Sequence, residues 1–422
     1  MKKLLLSSLL ASTVILTGCF KDDDTPIIIE ETTIIQNGDE TGSGTTVVDV
    51  TGAITENTTW TNDNIYKLNQ KVVVDAGTTL TIEAGTIIQG TPGTGSLASA
   101  LIIARGSKIN AVGTPSQPII FTSSTDNIEI GETAGTNLDE NDRGLWGGLI
   151  ILGNAPCSFS GDIVEAQIEG IPADDTFGLY GGTDPEDNSG VVSYISIRHG
   201  GALIGEGNEI NGLTLGGVGN GTIINNIEVV ANVDDGIEFF GGTVNASNLL
   251  VWAQGDDALD IDQAYSGTID NALVILGDFS DHAFEIDGPE GSATGSFTLQ
   301  NATIIGNTTT ENGEYADYRS GATGTTNNIY AYGFKASSDI ELDNDGVATN
   351  YNDGQLIFGI WELVLPEGVT DVTSLFVNKA DNVSVTDFGI TASAITEGEN
   401  TVGANTSSLS WTYSNDAGSL NF

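Results

Sequence analysis

One stretch of this chain repeats itself with its acids in register. Asp234-Asp235-Gly236-Ile237-Glu238-Phe239, Asp256-Asp257-Ala258-Leu259-Asp260-Ile261 and Asp281-His282-Ala283-Phe284-Glu285-Ile286 begin 22 and then 25 residues apart. Self-similarity at that period belongs to a solenoid, not to a helix bundle. Within each segment apolar residues alternate with acids, as in a strand with one buried face. Stacked in parallel, such strands set the acids in columns about 4.8 Å apart.

A second strand family has the same rhythm: Asn225-Asn226-Ile227-Glu228-Val229, Ser247-Asn248-Leu249-Leu250-Val251, Asn271-Ala272-Leu273-Val274-Ile275, Asn301-Ala302-Thr303-Ile304-Ile305 and Asn327-Asn328-Ile329-Tyr330-Ala331. Taking Asn225, Ser247, Asn271, Asn301 and Asn327 as one column predicts a corner at which Asn tolerates a left-handed bend and bonds to its copies above and below. Upstream, Val72-Val73-Val74, Thr79-Leu80-Thr81-Ile82 and Thr86-Ile87-Ile88 are short β-rich runs between Asp75-Ala76-Gly77 and Glu83-Ala84-Gly85 turns. No segment shows a helical stripe of twelve or more residues, which excludes Rossmann and TIM layouts. The expected fold class is all-β: a single-stranded parallel β-helix with N- and C-terminal caps, right-handed as the resemblance of its opening coils to right-handed parallel β-helix proteins implies. Its domain is expected over 49–422, with irregular loops at about 123–190, around a strand at Trp146–Gly153. Regular coils follow at about 191–345, then C-terminal coils and a cap at about 346–422. Leu356-Ile357-Phe358, Ser374-Leu375-Phe376-Val377 and Trp411-Thr412-Tyr413 are assigned to that last part. A capped end protects an open edge.

Residues 1–18 read as a signal peptide: Lys2 and Lys3 precede an apolar run, Leu4 to Leu16, too short for a permanent span. The run ends in Leu16-Thr17-Gly18-Cys19, which resembles the lipobox of bacterial lipoproteins and implies lipidation of Cys19. Phe20-Lys21-Asp22-Asp23-Asp24 then resembles the surface-export signal of Bacteroidota lipoproteins. Residues 19–48 are acidic and Thr-rich, and are expected to form a flexible tether. Together these imply a lipid-anchored protein of the outer membrane that faces the cell exterior. With Cys19 acylated, Cys157 has no disulfide partner and is read as a small core residue. His199 is read as a turn residue.

The formal charge is −46, from 58 acidic and 12 basic residues. Such a surface repels phosphates, so nucleic acid is excluded as a partner.

Aligning the coils puts Thr214, Glu238, Asp260, Glu285, Asp317 and Glu341 in one outward column. Gly216, Phe240, Asp262, Asp287, Arg319 and Asp343 lie two residues further along. Asp234, Asp256 and Asp281 sit at the corner beside Asp235, Asp257 and His282. Like charges on adjacent strands repel and raise one another's pKa. Solvent screening is one answer to that repulsion. A divalent cation, Ca²⁺ above all, is another, since hard carboxylate oxygens from adjacent coils suit it. The metal candidates are Asp234, Asp235, Glu238, Asp256, Asp257, Asp260, Asp262, Asp281, Glu285 and Asp287. No Gly-Gly-x-Gly-x-Asp run and no EF-hand loop is present. Catalysis by paired carboxylates is the third answer, with Asp256, Asp257, His282 and Arg319 as candidates.

Asp234-Asp235-Gly236 and Gly255-Asp256-Asp257 resemble the aspartate clusters of polygalacturonase-type hydrolases, in which paired acids act as general acid and base. The family's Gly-His-Gly is replaced by Ser280-Asp281-His282, and its Arg-x-Lys is absent. A pectate-lyase-like site wants Ca²⁺ and a strong base; Arg319 is the basic residue here, and beside Asp287 it reads as an ion pair. Gly113-Thr114-Pro115 before Pro118-Ile119 resembles the opening coils of right-handed β-helix proteins. Longer motifs carry a wider resemblance: Gly144-Leu145-Trp146-Gly147-Gly148, Asn208-Glu209-Ile210-Asn211-Gly212-Leu213-Thr214-Leu215-Gly216-Gly217-Val218, Asp234 to Gly242, and Gly255 to Tyr265. With these, the chain resembles a family of Bacteroidota surface lipoproteins of the pectate-lyase-like β-helix fold. That resemblance implies a location and a scaffold more than a reaction. The expected role is a non-enzymatic platform for a glycan or for an outer-membrane partner such as a TonB-dependent transporter. The alternatives are a Ca²⁺-assisted polysaccharide lyase or glycoside hydrolase on the Asp256–Asp260 face, and a structural surface adhesin.

Overall fold

The computed structural model describes residues 46–171, 175–203, 210–310, 312–420 and 422, together with the strand Ile35–Gln36. Cys19, the expected signal peptide and most of the expected tether lie outside the described residues. The first coil strand, Thr46–Ile54, starts three residues before the expected boundary. Ile35–Gln36 pairs antiparallel with Val48–Asp49, so part of the expected tether is strand.

Among the described residues, twenty-six strands form one continuous sheet. All its other registered pairings are parallel, as a right-handed β-helix requires. Along one strand family the inward residues stack as Leu213, Ile237, Leu259, Phe284, Ala316 and Ile340, and as Leu215, Phe239, Ile261, Ile286, Tyr318 and Leu342. All are buried in one core running from Val48 to Phe376. Wound coils supply every strand with neighbours, so no helical crossovers are needed. The one α-helix among the described residues, Asp345–Asn352, is eight residues long and capped by the Asn344 side chain.

The second family consists of longer strands bent in the middle. Asn226, Asn248, Asn271, Asn301 and Asn328 have φ between 54° and 64° and divide each strand into two short arms. The corner column therefore lies at Asn226 and Asn328, not at Asn225 and Asn327, and at Asn248 in place of Ser247. The left-handed residue is the one immediately before the first inward side chain, because the bend itself turns that side chain into the core. Asn248 Nδ2 donates to Asn226 Oδ1 (3.2 Å), Asn271 Nδ2 to Asn248 Oδ1 (2.7 Å) and Asn328 Nδ2 to Asn301 Oδ1 (2.9 Å). Asn301 donates to Asp270 instead, at 2.7 Å.

Apolar residues on the outside of the coils need cover, and three excursions supply it. Residues 157–182 lay Phe159, Ile168, Ile171 and Tyr180 over Ile102, Ile150, Leu152 and Phe240. Ile128 covers Ile65, Ile87 and Ile120. The C-terminal segment covers Val230, Leu250, Trp252, Leu273 and Ile275 with Leu409 and Tyr413.

That last part of the chain, expected within the C-terminal coils and cap, does not stay at the end of the solenoid. After the strands Leu356–Phe358, Trp361–Leu363, Phe376–Asn378 and Ala392–Ala394, the chain doubles back along the side of the solenoid. Glu362 accepts from the N–H groups of Thr401 and Val402, and Asn271 from that of Asn405. Glu228, fully buried, accepts from Tyr413 N (3.1 Å), Ser414 N (2.8 Å) and Ser414 Oγ (2.6 Å). Trp411-Thr412-Tyr413 is part of this strap and not of a coil. A strap fits because the buried carboxylates and the Asn column offer acceptors along a line that no strand uses.

Candidate functional site

The acidic columns form as their spacing predicts. Thr214, Glu238, Asp260, Glu285, Asp317 and Glu341 are successive partners in the ladder. At the corner, Asp235 Oδ1 accepts from Asp257 N at 3.0 Å, and Asp257 Oδ1 accepts from His282 N at 2.7 Å. Each corner carboxylate thus caps the backbone of the next coil. Gly236 follows the first of these corners because a Cβ there would lie 2.3 Å from Val251 Cγ1 and 2.6 Å from the Ala258 carbonyl.

The columns point away from the core, yet they are not a solvated face. Glu238, Asp260, Asp317 and Glu341 are 5–8% exposed and Asp257 4%. Neighbouring acids crowd them, and the 157–182 excursion stands beside them. Tyr180 Oη donates to Gln263 Oε1 at 2.8 Å, and Gln263 Nε2 to Glu290 Oε1 at 2.8 Å. Part of the irregular segment therefore walls the acid-bearing sheet.

Three cations answer parts of this charge. Arg319 bridges Glu285 and Asp287, the latter at 2.7 Å. His282 Nδ1 lies 2.9 Å from Asp257 and 3.9 Å from both Asp281 and Glu285. Burial opposes its charge, but the Asp257 hydrogen bond and the surrounding carboxylates prevail and push its pKa up to about 9. Lys379, which lies beyond the repeats, pairs with Glu341.

One sector has no cation among the described residues. Carboxylate oxygens of Asp235, Glu238 and Asp260 lie within 4.8 Å of one another, and all three groups are buried. Burial and then mutual repulsion raise all three pKa values well above the usual carboxylate range. Asn211, 1% exposed, donates its amide to Glu238, while its own Oδ1 and Asp260 Oδ1 have no hydrogen-bond partner. Buried polar atoms without partners are rare and costly. Three carboxylates and an amide oxygen suit a hard cation that takes six to eight oxygen ligands. The residues present fit Ca²⁺. Among the other candidates, Asp234, Asp235 and Asp256 form a second close group, and Asp257, His282 and Glu285 a third. Burial and neighbouring acids push Asp256 up to about 6 and Asp262 to about 7, and raise Asp281 and Asp287.

Sequence reasoning missed Asn211, Glu314, Asp339 and Lys379. Asn211 precedes Gly212 as Asp235 precedes Gly236, so the repeat itself carried that signal. Glu314 pairs with His282 in the ladder and forms a further close group with Asp339 and Glu341. Cys157 packs by Phe240 O at 3.4 Å, and burial pushes its thiol up to about 12, consistent with a structural residue. His199 occupies a turn at φ 62°, its Nδ1 2.7 Å from Asp142 O.

Comparisons with known proteins agree with this architecture. A family model described as a pectate-lyase like beta helix domain matches residues 52–414. No curated protein and no solved structure matches the chain. A match over nearly the whole length of the coils shows the family, and the chain belongs to the pectate-lyase like beta helix domain family.

Proposed function

We propose that this is a lipid-anchored protein of the outer membrane, exposed at the cell surface, whose β-helix is a non-enzymatic binding platform with Ca²⁺ held on its acidic face. Its partner is a glycan or an outer-membrane protein such as a transporter. The observation that carries the non-enzymatic reading is the engagement of the catalytic candidates with one another. Asp257 is buried and holds two N–H groups of His282, and Arg319 is held between Glu285 and Asp287. A general base must reach the proton that it takes from a substrate. The location rests on Leu16-Thr17-Gly18-Cys19 and Lys21-Asp22-Asp23-Asp24. The cation rests on the Asp235, Glu238 and Asp260 sector and its unpartnered oxygens.

One feature favours the alternative of a polysaccharide-cleaving enzyme. Asp256 reaches solvent, and partial desolvation of its carboxyl together with repulsion from Asp257 raises its pKa to about 6, within reach of general-acid work near neutrality. Incubation with neutral and acidic polysaccharides separates the two readings. No release of oligosaccharides is expected. Release that disappears in Asp257→Asn or Asp256→Asn overturns the platform. Affinity capture of the native lipoprotein from solubilised outer membranes, read by mass spectrometry, distinguishes a protein partner from a glycan.

A further inference from the structure

A concave surface lies beside the C-terminal strap, and none of the acidic-column residues lines it. A cavity of about 290 Å³ opens between the turn bearing Ser116 and the returning C-terminal strap, with Thr133, Arg198, Trp411, Tyr413 and Asn415 in its wall. Its volume is at the lower end for small-molecule sites, about 300 Å³. A neighbouring cavity of about 300 Å³ shares Ser116, Pro118 and Thr133 with it.

The wall is preorganised. Trp411 stands edge-to-face on Tyr194 with centroids 5.4 Å apart, and the Arg198 guanidinium lies 4.3 Å over the Tyr413 ring. Rigid aromatic rings give contact area at low entropic cost. Arg198 is 2% exposed; its Nε donates to Ser196 Oγ at 2.7 Å and its Nη1 to Thr133 O at 2.9 Å. These two bonds fix the guanidinium in the cavity wall. Ser196 Oγ in turn donates to Glu228 at 2.6 Å, so the arginine charge is answered from behind. The cavity wall carries one basic residue, Arg198, and one acidic residue, Asp416, in a chain of formal charge −46.

An aromatic plane, a fixed donor, hydroxyls and balanced charge together suit a pyranose, with its apolar C–H face and its rim of hydroxyls. The acidity of the rest of the surface disfavours polyanions. We propose that this cavity binds one neutral sugar unit of a glycan. The Trp411 ring is its stacking surface, and the Arg198 guanidinium and the Asn415 amide bond to its hydroxyls. The inference rests on the binding-platform reading but not on the acidic face.

The test is saturation-transfer NMR and isothermal titration of the full chain in detergent with glucose, galactose, mannose, N-acetylglucosamine and their disaccharides. At least one sugar is expected to bind. Ser116→Tyr, which fills the cavity from a surface turn, and Trp411→Ala should each weaken that binding at least tenfold. Ser116→Tyr should also leave the melting temperature unchanged, and Asp260→Asn should leave binding intact. Binding that survives Ser116→Tyr and is lost in Asp260→Asn overturns this site while the platform stands. The absence of binding by every sugar overturns the cavity proposal; capture of a polysaccharide or a membrane protein in the earlier experiments then still supports the platform.

Discussion

Asp257 holds both N–H groups that His282 turns toward it, the backbone N at 2.7 Å and Nδ1 at 2.9 Å. Main chain and side chain of one coil are thereby tied to a single carboxylate of the coil before it. Such a pair is a staple between coils, and its strength depends on the histidine being charged.

The pH dependence of stability follows from that charge. His282 titrates at about 9 in the fold against an ordinary 6.5, so its contribution is complete below about pH 6.5 and is lost as pH rises through 9. A shift of that size is worth on the order of 3 kcal/mol. Asp262 and Asp317, both pushed up to about 7, act in the same direction: the fold binds their protons more tightly, so stability falls as pH rises from about 4 through 7. In chelator the melting temperature is expected to be higher at pH 6 than at pH 9. His282→Gln should flatten the upper part of that slope, and thermal unfolding monitored by circular dichroism reads both.

Calcium should oppose that trend. A cation at Asp235, Glu238 and Asp260 binds the deprotonated acids, so the gain in melting temperature from millimolar Ca²⁺ is expected to grow with pH. At a hundredfold excess over Kd it is worth about 2.7 kcal/mol. Asp260→Asn removes a buried charge, so in chelator it should be neutral or stabilising, and it should abolish the response to Ca²⁺. A destabilised Asp260→Asn protein that still responds to Ca²⁺ would place the cation elsewhere.

The strap depends on Glu228. Glu228→Ala removes the acceptor of four hydrogen bonds and one of the two carboxylates, with Asp126, that answer the buried Arg198 charge. Hydrogen bonds to a charged group are worth about 1.5–3 kcal/mol each. Hydrogen exchange should show protection lost over 396–420 before it is lost in the coils.

The Asn corner separates conformation from ladder. Asn328 has φ 58° and donates to Asn301 at 2.9 Å. Asn328→Gly keeps the bend and loses the hydrogen bond, at about 1 kcal/mol. Asn328→Ala also pays for the left-handed backbone, about 1–2 kcal/mol more. Denaturant midpoints of the two variants should fall in that order.

The sequence by itself determined the coils, the parallel register and the acidic columns. The period of two along a strand and of 22–32 residues between coils leaves one way to stack the segments, and Thr214 to Glu341 pair as that spacing requires. The same spacing missed by one residue at Asn226, Asn248 and Asn328, because alternation does not reveal which residue turns left-handed. Only the tertiary structure decided that the columns are buried, that Asp235, Glu238 and Asp260 are the sector without a cation, and that Arg198, Trp411 and Tyr413 share a cavity. Those outcomes depend on the 157–182 excursion, on Lys379 and on the strap, which reach their places from far along the chain. Burial and charge compensation are set by what lies opposite in space, and no repeat encodes a partner that occurs once.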